Sequence, residues 1–290
     1  MHCELVRTSS VDGIRLDGVL LAAEKSSAPP LKLDALLCLH GVASNFYGSS
    51  LFENLAPRLR SLGLPLLLAN TRGHDSVYAT SSLTGRRWQG AAYEVVDECR
   101  LDVAAWCDFL NQRGFARIGI LGHSLGAIKA VYSQAFAPRP EVSAVIALSP
   151  PRLSYAAFRN GLESAAFFDA ISTAQDHVKQ SRGDTLMKVT VPFPMLMSAA
   201  GYLEKYGPAE RYNIFKFVNQ LACPAFFSYG GQEVEQGGVA FAGVPDSLRM
   251  TARPDQSLEV VTIPGADHNY TRTHVELADQ LVPWLHNMFT

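Results

Sequence analysis

The sequence lacks a strong charge of either sign. Its 25 Lys and Arg against 27 Asp and Glu leave a formal net charge of −2. With no run of Lys or Arg, nothing in the chain would follow a phosphate backbone or an anionic bilayer, so nucleic acid is not an expected partner. Long hydrophobic runs are missing too. No segment approaches about 18 uninterrupted apolar residues, and no membrane span is expected. The opening MHCELVRTSSVDG does not join a basic region to a continuous apolar stretch as a secretory leader does, so a cytoplasmic location is expected. Cysteine is scarce and scattered: Cys3, Cys38, Cys99, Cys107 and Cys223 are odd in number and have no CxxC spacing. That pattern points to neither a disulfide framework nor a zinc site. His2, His177, His274 and His286 show no metal-ligand spacing either, and no metal or other cofactor is expected.

What is present is apolar material in short, punctuated pieces. Of 290 residues 48% are hydrophobic and 18% charged, enough for one large core with an inserted subdomain. ALLCLHG from Ala35, LPLLLAN from Leu64, RIGILGH from Arg117, VSAVIALSP from Val142, PAFFSYGG from Pro224 and SLEVVTIPG from Ser257 each have the length of a strand. They are apolar on both faces, as central parallel strands are, and Cys38 in the first of them reads as a small buried hydrophobe. Helical spacing lies between them, with Leu51, Leu55, Leu59 and Leu62 from Ser49–Ser61 onward and with Val95, Val96, Val103, Trp106 and Leu110 in Ala91–Gln112. The alternation predicts an α/β fold, a mostly parallel central sheet with helices on both faces. An antiparallel hairpin around Asp12-Gly13 precedes it, and Ser26–Pro30 reads as a loop. Thr273–Phe289 reads as a final packing helix.

The rhythm breaks once. Between Pro150 and Cys223 no convincing strand appears, and the segment is too long for a simple crossover. It is rich in Phe, Tyr, Met and Ala, and it predicts a helical cap insertion at 151–223 over a core made of 1–150 and 224–290. Its aromatics either form the insertion's own core or line an apolar pocket.

The chemistry centres on GHSLG, residues 122–126. Ser124 stands where a strand gives way to a helix, so its hydroxyl projects beyond the carboxyl edge of the sheet and the helix N-terminus favours developing negative charge. Glycines at 122 and 126 let strand and helix approach a strained turn. The plainer alternative is a serine that only caps the helix. His268, in IPGADHNY after the last predicted strand, can act as general base toward that hydroxyl. An acid is then expected after an earlier strand, and FFSYGG is followed by Glu233 and Glu235; Glu233 is preferred and Glu235 held in reserve. The chain order is serine, acid, histidine.

Taken together, His40-Gly41, NTRGHDS at 70–76, GHSLG, YGGQE at 229–233 and PGADH at 264–268 resemble the α/β-hydrolase superfamily from about Asp34 to the C-terminus. The resemblance implies an oxyanion hole from the backbone N–H groups of Val42 and Leu125. It also implies a cofactor-independent serine hydrolase acting on a small-molecule ester. Amide, lactone and carbon–carbon bond cleavage by the same groups stay open, as does a silent binding protein. A serine at the elbow sets the chain apart from the haloalkane dehalogenase and epoxide hydrolase branches, which resemble this fold but use aspartate. Asn70 and Asp75 stand where many relatives carry Asp and Gly. His40 and His123 are expected to support the site by hydrogen bonds, His74 and Asp75 to make loop contacts, and Lys129 to reach solvent.

Overall fold

Strands form where apolar residues are covered from both sides. In the computed structural model, which describes residues 3–26 and 29–290, eight strands make one sheet. His2, and Ser27 and Ala28 of the expected loop, lie outside the described residues. The strands are β1 (Cys3–Ser9), β2 (Arg15–Leu21), β3 (Ala35–Leu39), β4 (Leu66–Ala69), β5 (Ile118–His123), β6 (Val142–Leu148), β7 (Ala225–Gly230) and β8 (Leu258–Ile263). Their order across the sheet is β1-β2-β4-β3-β5-β6-β7-β8. β1 pairs antiparallel with β2, and β2 with β4; every pairing from β4 to β8 is parallel. Every residue of β3, β5 and β7 is buried, the pattern of central parallel strands.

The two faces follow the period of two. Ala35, Leu37 and Leu39 enter the core beneath helices Cys99–Gln112 and Leu125–Phe136, where Val103, Trp106, Ile128 and Val131 meet them. Leu36 and Cys38 point the other way, toward Leu55 of helix Ser50–Arg60 and Leu281 and Trp284 of helix His274–Phe289. Ser49 caps the first of these helices by accepting the Phe52 N–H at 3.4 Å.

Between β6 and β7 the chain forms helices Tyr155–Arg159, Ser164–Lys179 and Ala199–Tyr206. The expectation of a strandless insertion is corrected here: Leu186–Val189 pairs antiparallel with Met195–Ser198. In the first of these strands Met187 and Val189 are buried while Leu186 and Lys188 face outward. Four residues of alternation are too few to separate a strand from a helix turn in sequence. A second unexpected hairpin, Tyr78–Ser82 with Gly85–Gln89, follows β4. Among the described residues no helix is long and apolar enough to cross a membrane.

Candidate active site

The carboxyl ends of β5, β6, β7 and β8 converge on one cavity. Ser124 follows β5 in a left-handed backbone conformation, φ 56° and ψ −121°, and helix Leu125–Phe136 begins at the next residue. A non-glycine residue held there stores strain, and the packing around it must over-determine it. The two flanking glycines supply that packing. A Cβ on Gly122 would lie 2.2 Å from the Gly126 carbonyl oxygen, and one on Gly126 would lie 2.2 Å from that of Leu39. Backbone therefore occupies the space where side chains would be, and the turn closes tightly enough to lift Ser124 out of the strand.

His268 lies past β8 with its side chain 34% exposed. Its Nδ1 is 2.7 Å from Glu233 Oε2. Glu233 sits in the first turn of a short helix, Gly231–Gln236, and not on the loop expected after the glycine pair. Its other oxygen accepts the Gly230 N–H at 2.9 Å and the Ser149 hydroxyl at 2.5 Å. Behind Ser149 a buried chain of hydroxyls continues: Tyr270 is 2.9 Å away, and Ser228 is 2.7 Å from Tyr270. The carboxylate is thus fixed by three donors, and only one of its partners, the imidazole, faces the cavity. Glu235 is exposed and makes no such contact.

Ser124 and His268 both line a cavity of about 420 Å3, together with Gly41, Val42 and Leu125. No direct hydrogen bond joins Ser124 to His268 among the described residues; such bonds are commonly long before substrate arrives. The N–H of Val42 and the N–H of Leu125, first in its helix, have no acceptor among the described residues, which leaves both free for a ligand oxygen. Leu153, Phe158, Phe193, Tyr206 and Phe241 supply most of the apolar wall. The insertion's aromatics divide between the two expected roles. Phe167, Tyr202 and Phe217 are fully buried in the core, whereas Phe158, Phe193 and Tyr206 reach the cavity.

The supporting histidines behave as their surroundings dictate. Burial, with the neighbouring His268 adding to it, pushes His123 down to about 3, so it is neutral, and its Nε2–H donates to the His268 carbonyl at 2.8 Å. That bond ties the residue before Ser124 to the loop that carries His268. His40 is also held at about 3, chiefly by burial and then by Lys129. His74 and Asp75 do not line the cavity. They bond each other at 2.9 Å, and Asp75 accepts from Asn45 at 2.8 Å, bracing the loop after β3.

One expectation fails outright. Lys129 does not reach solvent; it is fully buried, with Nζ 2.5 Å from Glu94 Oε1 and 2.8 Å from Thr71 Oγ1. Helical spacing placed it correctly on the helix, but the face it occupies turns toward the core, where an acid from another segment makes the burial tolerable. Ser149, Tyr270, Thr71 and Glu94 were not singled out in the sequence. The one available signal was Ser149 itself, a polar residue that ends the apolar run VIALSP.

No protein-family model and no curated protein sequence matches the chain. Solved structures do. An esterase of Pyrococcus furiosus is 16% identical, with a TM-score of 0.65 over 99% of this chain and 91% of its own. The α/β hydrolase GrgF of Penicillium sp. sh18 is 13% identical, with a TM-score of 0.71 over 99% of both chains. Est1E of Butyrivibrio proteoclasticus, solved with ferulic acid, is 17% identical, with a TM-score of 0.64 over 97% of this chain and 98% of its own. The sheet order, the strained serine at its centre and these similarities together establish that the chain has the α/β-hydrolase fold.

Proposed function

We propose that the protein is a serine hydrolase that cleaves the carboxylic ester of a small, neutral, moderately apolar substrate. The observation that carries this reading is the buried Glu233 carboxylate 2.7 Å from His268 Nδ1, at a cavity shared with Ser124. Ser124 Oγ attacks the ester carbonyl while its proton passes to His268 Nε2, and Glu233 holds the imidazolium by Nδ1–H. The N–H groups of Val42 and Leu125 hold the tetrahedral oxyanion. Collapse expels the alcohol, which takes the proton back from His268. Water then attacks the acyl-enzyme, again through His268, and releases the carboxylic acid. Residues 151–223 act as the cap.

The wall of Leu, Phe and Tyr, with no Lys or Arg lining the cavity among the described residues, supports a neutral substrate, and a volume of about 420 Å3 suits a small molecule. Amides, lactones and carbon–carbon bonds would use the same groups. A panel of aryl esters set against a vinylogous diketone ranks them, and turnover of the diketone alone would remove the ester assignment. The central test is intact-mass analysis after treatment with a fluorophosphonate. A single adduct is expected on the native chain and none on Ser124→Ala; a native chain that folds and stays unlabelled would sink the proposal.

A further inference from the structure

Deep beneath the site lies a group of buried charges that the reaction above does not use. Glu94, on the loop before helix Cys99–Gln112, is 1% exposed and lies between two lysines that are equally buried. Lys129 comes from the helix that follows Ser124, and Lys205 from helix Ala199–Tyr206 of the insertion, its Nζ 3.4 Å from Glu94 Oε2. Burial raises the Glu94 carboxyl, but Lys129 and Lys205 outweigh it and hold the group at about 2. The cluster therefore buries an ionised acid between two lysines, an expensive arrangement inside a core.

Its hydrogen bonds run in one direction. Lys129 Nζ donates to Thr71 Oγ1 at 2.8 Å. The hydroxyl proton of Thr71 is then directed to His40 Nε2, 3.3 Å away, and the Thr71 backbone N–H donates to the same nitrogen at 3.1 Å. With Nε2 accepting, the proton of the neutral imidazole is on Nδ1, which donates to the Gly41 carbonyl at 2.8 Å. The Gly41 carbonyl and the Val42 N–H belong to a single peptide group. A donor on that oxygen fixes the peptide plane and draws electron density from its nitrogen, so the N–H at the other end becomes a stronger donor. Every link points from the lysine toward the cavity.

We propose that Lys129, acting through Thr71 and His40, orients and polarises the Gly41–Val42 peptide, and so sets the strength of one of the two oxyanion donors. It is a positioning residue, since it never meets the substrate. Glu94 holds it in place, and Lys205 ties the same carboxylate to the cap. The inference rests on the ester-hydrolase reading, because it assigns work to an oxyanion hole.

Lys129→Met is the informative variant, because Glu94 then keeps Lys205 and no lone charge is left buried. The probe is a trifluoromethyl ketone, whose carbonyl carbon bonds to Ser124 Oγ as the hydroxyl proton passes to His268 Nε2, while the C=O π bond opens and its oxygen becomes an anion in the hole. We expect kcat to fall about tenfold with KM unchanged, and the ketone inhibition constant to rise by the same factor. Thr71→Val cuts the same path with all three charges kept, and stands in if Lys129→Met does not fold; it should lose in parallel. Lys205→Met removes a buried cation outside the path and should keep kcat within about twofold. Equal ketone affinity in Lys129→Met and the native chain, or equal losses in Lys129→Met and Lys205→Met, would overturn the relay while leaving the nucleophile assignment standing. A native chain that binds no ketone would overturn both.

Discussion

At the scale of single residues the site separates two acids that the sequence left side by side. Glu233 and Glu235 are two positions apart on one helix turn, which sends them to different faces. Glu233 turns inward to three donors, from Gly230, Ser149 and His268, while Glu235 meets water. Replacing Glu233 by Gln keeps the shape but removes the charge that holds an imidazolium. Glu233→Gln should therefore lower kcat by about 10^2- to 10^4-fold, and Glu235→Gln should leave it within about twofold. Steady-state kinetics on a common aryl ester, with circular dichroism to confirm folding, compares them; a large loss in the second variant would refute the assignment.

At the scale of elements the central device is the β5–turn–helix unit. Its strain at Ser124 persists because β3, β5 and the helix leave no other place for the chain. Backbone carbonyls, unlike side-chain tips, have little freedom to give way. Gly126→Ala would set a Cβ 2.2 Å from the Leu39 carbonyl oxygen and must push β3 and the helix apart. We expect a loss of more than about 3 kcal/mol, together with loss of fluorophosphonate labelling, read by urea unfolding and intact mass. An alanine variant of native stability would show that the elbow is looser than its packing implies. The loop after β4 is the second such element. Arg72, fully buried, meets Asp102 at 2.9 Å, Glu98 at 2.6 Å and Asp12 at 2.9 Å, and so ties the N-terminal hairpin to helix Cys99–Gln112.

At the scale of the whole molecule, buried ion pairs link segments that are distant in the chain, which makes stability depend on acid. Glu94 is held at about 2 against its ordinary 4.5, because the two lysines outweigh its burial. Asp12, partly buried, is lowered as well, since its bonds to Arg72 and Ser10 outweigh burial. A folded value below the unfolded one means that the folded state binds fewer protons. The stabilisation is complete above about pH 4.5 and fades as pH falls toward 2. The urea midpoint should begin to fall below about pH 6.5, where His40 and His123 take up protons only in the unfolded chain, and should drop more steeply below about pH 4.5 as the carboxylates join them. A midpoint that stays flat down to pH 3 would contradict these pairs. Lys205→Met should make that drop shallower, because losing one of the cations that hold Glu94 ionised brings its folded value closer to its unfolded one.

Much of the fold is legible in the sequence. The apolar runs at Ala35, Ile118, Val142 and Ala225 became strands because a buried parallel strand needs both faces apolar, and sequence records that directly. The places of Ser124 and His268 beside one cavity were legible because a βα elbow and a strand-end histidine are local patterns with fixed spacing. What depended on tertiary structure is less local. The Leu186–Val189 hairpin takes its identity from its partner strand, which four residues cannot announce. Lys129 has the composition of a surface residue and is buried only because Glu94, 35 positions earlier, arrives beside it. The roles of Ser149, Thr71 and His40 as links between charged groups and the site likewise arise from directions of hydrogen bonds. The sequence by itself determined the principal strands and helices and the turn that carries Ser124, since periodicity and turn chemistry are written in neighbouring residues. Only the tertiary structure decided which acid faces the His268 imidazole and which buried charge stands behind the Gly41–Val42 loop, because those depend on contacts between segments far apart in the chain.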